Sequence, residues 1–126
     1  MTTKECYEKM GSNYEKVLGR LGSEMIIKKF AIKFLDDSSF QNLKDALAGK
    51  NLDDSFRAAH TLKGVCVNLG FDKLYEASSK ITEQLRAGKL EGCDEMFKDV
   101  EKEYEMTISV LKEFRRTELE LTATDL

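Results

Sequence analysis

The chain has no proline and no long apolar run, and its 126 residues include only three cysteines and one histidine. Each scarcity narrows the reading. Without proline, the helical periodicity along nearly the whole chain is interrupted by Gly, Asn, Asp and Ser, and no strand signal appears. No stretch approaches the about 20 apolar residues of a membrane span, and no charged-then-apolar leader opens the chain, so a cytoplasmic protein is expected. Cys6, Cys66 and Cys93 are odd in number and lack paired spacing; reduced thiols are expected, with Cys66 as a small core residue. One histidine and no Cys-x-x-Cys pair leave no recognisable metal-ligand set. No glycine-rich run ends in Gly-Lys-Ser or Gly-Lys-Thr, which removes the phosphate-binding loop. Charge of one sign is scarce as well: 20 Lys and Arg against 23 Asp and Glu give a net charge of −3, without the basic excess that nucleic-acid binding requires.

What is present suits one all-α domain with a single core. A first helical region covers about Thr3 to Leu21, interrupted near Gly11-Ser12-Asn13, where Ser12 or Asn13 can cap a restart. Ser23 opens the next helix, with Met25-Ile26, Phe30 and Phe34 expected on its core face. Ser38-Ser39 restart a shorter helix through Leu43 and Leu47, ending at Ala48-Gly49-Lys50. Asn51 or Asp53 begins a helix that Gly70 closes. Another runs from about Asp72 to Leu85, with Leu74, Ala77, Ile81 and Leu85 inward. The last covers about Cys93 to Arg116, with Met96, Val100, Tyr104, Ile108 and Leu111 inward. Short connections favour antiparallel neighbours, hence an up-and-down bundle with a four-helix core. Residues 1–22 are expected as an N-terminal helical segment packing on a bundle of residues 23–116, with residues 117–126 as a C-terminal tail.

His60 is the chemical candidate. Imidazole is the side chain whose unperturbed pKa, about 6.5, leaves a substantial neutral, nucleophilic fraction near neutral pH. At about 100° per residue, Leu52, Phe56, Ala59, Leu62, Cys66 and Leu69 form one buried stripe, and His60 lies at its edge. Lys63 and Gly64 follow at i+3 and i+4, over the same patch of helix surface. An interior helix glycine costs about 1 kcal/mol relative to alanine. The missing side chain leaves room for a tetrahedral phosphoryl group on the ring, or for another protein's surface. Close helix packing is the other account of Gly64, and its direction, away from the apolar stripe, favours access. Lys63 can add positive charge to an arriving phosphoryl group; an ordinary solvated lysine is the alternative.

His60-Thr61-Leu62-Lys63-Gly64, followed by Asn68-Leu69-Gly70 and Leu74-Tyr75-Glu76-Ala77, resembles the histidine-containing phosphotransfer (HPt) domain of two-component phosphorelays. The resemblance runs from about Phe30-Ala31-Ile32-Lys33-Phe34-Leu35-Asp36 to Leu111-Lys112-Glu113-Phe114. It implies a helical bundle that accepts a phosphoryl group on His60 from an aspartyl-phosphate receiver domain and passes it to another. It implies response-regulator receivers as partners, with a hybrid sensor kinase as a further candidate. No cofactor is expected on the chain itself, the Mg²⁺ belonging to the partner receiver. Neither nucleic acid nor membrane is an expected partner, and a monomer is expected.

If the chain reverses near Phe71, His60 faces Thr82. Domains similar to this one often carry glutamine there, bonded to the imidazole; threonine is a departure, and Gln84 is the other candidate for orienting the ring. Lys80 and Arg86 are candidates for added positive charge, with a solvated face as the alternative for both. No nucleotide-binding or receiver pattern occurs, so the chain must depend on partners for its phosphoryl group. From another class, a helical adaptor that docks on a receiver or kinase without being phosphorylated is the rival, and a bundle with a merely structural histidine is the third account.

Overall fold

Four helices of this protein start on a side chain that accepts a backbone N–H. In the computed structural model, which describes residues 1–125 with side chains through Leu121, Thr2 and Glu5 form a reciprocal capping box at helix α1 (Thr3–Lys9). Asn13 caps α2 (Tyr14–Leu21), Ser23 caps α3 (Glu24–Lys33), and Asn51 caps α5 (Leu52–Leu69). A short 3₁₀ turn (Phe34–Asp36) ends α3, and Asp37 accepts the N–H of Ser39 where α4 (Ser39–Ala48) begins. Helices α6 (Asp72–Arg86) and α7 (Cys93–Asp125) complete the chain, with no strand among the described residues. The segment 117–126, expected as a tail, carries α7 on past Arg116 to Asp125; residue 126 and the side chains after Leu121 lie outside the described residues.

The protein is an all-α helical bundle. Helix α5 packs most extensively on α6 and α4, α6 packs on α7, and α4 meets α7, which closes the four-helix ring. Its core contains Leu43, Leu62, Cys66, Leu74, Ile81 and Val100, all essentially without exposure. At one end the rings of Phe34, Phe71 and Tyr7 pack in sequence, with centroids 5.2 Å and 5.9 Å apart. The ring of Phe40 stacks on that of Tyr104 at 3.9 Å. Helices α1 to α3 cover this bundle, α1 and α3 both contacting α7.

Helix α3 corrects one expectation about the core. Ile27, Ala31 and Phe34 point inward, whereas Met25, Ile26 and Phe30 are 79%, 41% and 43% exposed. The helix has two apolar stripes, and only the one spaced 27, 31, 34 faces the bundle. The other borders an open cavity of about 560 Å³ that Phe30 lines with Leu21, Val65 and Leu69. In α5 the stripe is buried at Ala59, Leu62, Cys66 and Leu69 and half-buried at Leu52 and Phe56, while Ser55 and Ala58 are buried beside it.

Candidate functional site

The histidine helix is fixed at both ends by polar side chains. At its start Asn51 accepts the N–H of Asp54 at 3.0 Å, and Asp53 and Asp54 place negative charge on the first turn, where the helix dipole favours it. At its end Gly70 turns left-handed, with φ of 72°, and its N–H bonds to the carbonyl of Cys66. That leaves the carbonyls of the last turn to be filled from elsewhere. Arg20 of α2 donates from one guanidinium nitrogen to the carbonyls of Val67 and Asn68, at 2.6 and 3.0 Å. The buried hydroxyl of Tyr7 on α1 donates to the carbonyl of Leu69 at 2.7 Å. So the N-terminal helices satisfy three carbonyls that α5 cannot satisfy itself.

Between those ends, burying Ala59, Leu62 and Cys66 turns His60 outward, and the imidazole is exposed. Its ring lies 5.7 Å from that of Phe56, one turn earlier, at an interplanar angle of 28°. Arg86 of α6 holds its guanidinium 5.0 Å from the centroid of the same Phe56 ring. Glu83, also on α6, links the two helices: its carboxylate is 3.6 Å from the Lys63 ammonium and accepts from Arg86 Nε at 3.2 Å. Phe56, His60 and Lys63 of α5 thus form one surface cluster with Glu83 and Arg86 of α6. On the other flank of His60, Gly64 faces open space, because a Cβ built there meets nothing within 4 Å.

Three candidates lie apart from the ring. Thr82 is fully buried and its hydroxyl donates to the carbonyl of Ser78 at 2.6 Å, the usual back-bond of a mid-helix threonine. The amide of Gln84 donates to the carbonyl of Glu91 at 2.6 Å, which ties α6 to the turn before α7. Neither bonds to His60, and the ring packed against the imidazole is that of Phe56. Lys80 lines the cleft between α6 and α7 with Asp99 and Glu103, on the side of α6 away from α5. Glu83 and Phe56 were not singled out as site residues from the sequence; the Glu83–Arg86 i,i+3 pair was the available signal, but the reach to Lys63 depends on how α5 and α6 are aligned.

The other potential nucleophiles are silenced by burial. It pushes the Cys66 thiol, two turns along α5, far above the ordinary thiol range, and the Cys6 thiol up to about 12. Thiolate is the reactive form, so raising these values removes it at neutral pH. Among the described residues no group of three or more His, Cys, Asp or Glu could hold a metal ion, and no helix is long and apolar enough to cross a membrane.

The protein is a helical bundle that displays one exposed imidazole from the middle of a helix, beside bare backbone. The chain belongs to the Hpt domain family, whose model matches residues 34–114 and so takes in α4, α5, α6 and most of α7. Its general role is therefore in phosphorelays, as a phosphocarrier and not a classical enzyme, and domains of this family generically partner receiver domains. No curated protein and no solved structure matches the chain.

Proposed function

We propose that His60 is the phosphoacceptor, taking a phosphoryl group from the aspartyl phosphate of a receiver domain and passing it to the aspartate of another. The observation that carries this reading is the exposed imidazole beside the open backbone of Gly64. A neutral ring nitrogen attacks phosphorus, the receiver's carboxylate leaves in line with it, and the reverse step discharges the carrier. Little covalent chemistry falls to the protein, so its contribution is position and charge. Lys63 supplies positive charge at i+3, and Arg86, packed on the Phe56 ring that flanks the imidazole, adds to the positive potential of this face.

The receiver docks over Gly64 and Val67, which continue the exposed face of α5 from His60, with Glu83 and Arg86 of α6 along one edge of the footprint. Bare backbone at Gly64 lets the partner's aspartate and its Mg²⁺ come close to the ring. A cytoplasmic setting is supported by three cysteines that are all free thiols.

Incubation with a phosphorylated receiver tests the assignment. The wild-type protein acquires an acid-labile, base-stable phosphoryl label, and His60→Gln, folded to the same helix content, acquires none. Label retained by His60→Gln refutes the assignment, and a docked but unlabelled wild-type protein establishes an adaptor instead.

A further inference from the structure

Glu83 stands where a carrier of phosphoryl groups has no evident use for a carboxylate. Both of its oxygens face cations: Oε1 lies 3.6 Å from Lys63 Nζ, and Oε2 accepts from Arg86 Nε at 3.2 Å. These two cations stand on the His60 side of the bundle: Lys63 is one turn along α5 at i+3, and Arg86 lies 5.0 Å from the centroid of the Phe56 ring that stacks on the imidazole. An anion therefore already occupies the positive charge that a phosphoryl group on His60 would meet. The group arriving there carries about two negative charges and three strong acceptor oxygens, against one charge on the carboxylate. Glu83 and Arg86 are exposed and Lys63 is half-buried, so Glu83 can swing into water on displacement.

We propose that Glu83 is a resident counter-ion: in the unphosphorylated protein it holds Lys63 and Arg86, and the phosphoryl group on His60 displaces it, so that Glu83 sets how strongly the two cations favour the phosphorylated form. This rests on His60 being the phosphoacceptor. In that role Glu83 is a positioning residue, acting through Lys63 and Arg86, and it keeps the carrier from holding its cargo too well. A relay intermediate must surrender its phosphoryl group as readily as it accepts it, and a carboxylate that reclaims the cations on departure helps it do so.

Phosphoramidate tests the proposal without a receiver. The imidazole–phosphorus bond forms as the phosphorus–nitrogen bond of the donor breaks, ammonia leaves with that bond's electrons, and the second imidazole nitrogen gives up its proton to water. Labelling is followed by ³¹P NMR. Glu83→Gln is expected to label about threefold faster than wild type at low salt, the order of effect given by exposed charge pairs. That gain should shrink towards unity at 1 M salt, where the screening length is about 3 Å. Glu83→Asp, which keeps the charge, should stay near wild type, and the gain should largely vanish when Lys63 and Arg86 are both methionine. A carboxylate that merely ties α5 to α6 would lower the melting temperature on substitution and produce no salt-dependent gain. Labelling of Glu83→Gln at or below the wild-type rate, with wild-type His60 labelled, overturns the counter-ion role; so does a gain undiminished in the background lacking both cations. Absence of label on wild-type His60 overturns the phosphoacceptor reading instead, and the outcomes are distinct.

Discussion

Replacing Gly64 by glutamine separates folding from transfer. A Cβ at this position meets nothing within 4 Å, so the substitution introduces no clash. Glycine is the poorest helix former after proline, and its exchange for glutamine inside α5 should stabilise the fold by about 0.5 kcal/mol. In a domain of this size that corresponds to a rise of about 2 °C in melting temperature. Transfer responds in the opposite direction. Reacting atoms must come within about 3–3.5 Å, and misplacement by about 1 Å already costs on the order of 100-fold. A glutamine side chain standing beside the imidazole holds a protein surface away by more than that, so exchange with a receiver should fall at least about 100-fold. Phosphoramidate is small enough to approach from the other flank of the ring, and its labelling of His60 should fall much less. Urea melts, receiver exchange and phosphoramidate labelling on one preparation read all three quantities. Exchange with a receiver at the wild-type rate would make Gly64 a packing residue and refute the open-patch reading. Gly70→Ala is the contrasting control: its left-handed φ of 72° disfavours any side chain, and the added Cβ would collide with Val17. Strain and overpacking together should destabilise it by about 2–4 kcal/mol.

Lys63→Ala should slow transfer or shorten the lifetime of phosphohistidine, while changing stability by less than about 1 kcal/mol, because its 3.6 Å pair with Glu83 is partly open to water, the lysine side chain 24% and the carboxylate side chain 55% exposed; unchanged kinetics would reduce Lys63 to a surface residue. Tyr7→Phe keeps a fully buried ring but strands the Leu69 carbonyl that the hydroxyl satisfies. Urea unfolding should report a loss of about 1–3 kcal/mol, with faster amide exchange at the end of α5, and a loss below about 0.5 kcal/mol would mean that the bond contributes nothing net.

Much of the fold was legible because its signals are local. Asn13, Ser23, Asn51 and Gly70 mark helix ends through bonds made within four residues, and a sequence shows these directly. The inward residues of α6 at Leu74, Ala77, Ile81 and Leu85 follow from periodicity alone, since that helix has a single apolar stripe. Periodicity gave less help in α3, which has two stripes. Choosing between Ile27 with Ala31 and Ile26 with Phe30 requires knowing where α1 and α7 lie, and that is a tertiary fact.

The site divides along the same line. His60, Lys63 and Gly64 share one turn, so their proximity follows from helix geometry, and the structure places them together. Facing residues on α6 do not follow in this way, because a long side chain moves a contact by a full turn from the level of its own backbone. Thr82 is buried with its hydroxyl returned to Ser78, while Glu83 and Arg86 reach across to Lys63 and Phe56. Least legible was the use of the N-terminal helices, which the family model does not cover. Nothing in Tyr7 or Arg20 alone announces that they will satisfy the carbonyls of Leu69, Val67 and Asn68, more than forty residues away. Yet the exposed histidine helix must end somewhere, and a left-handed glycine satisfies only part of its last turn. Helices α1 and α2 supply the rest, so loosening them should fray α5 from Val67 backwards, towards the surface on which the receiver is proposed to dock.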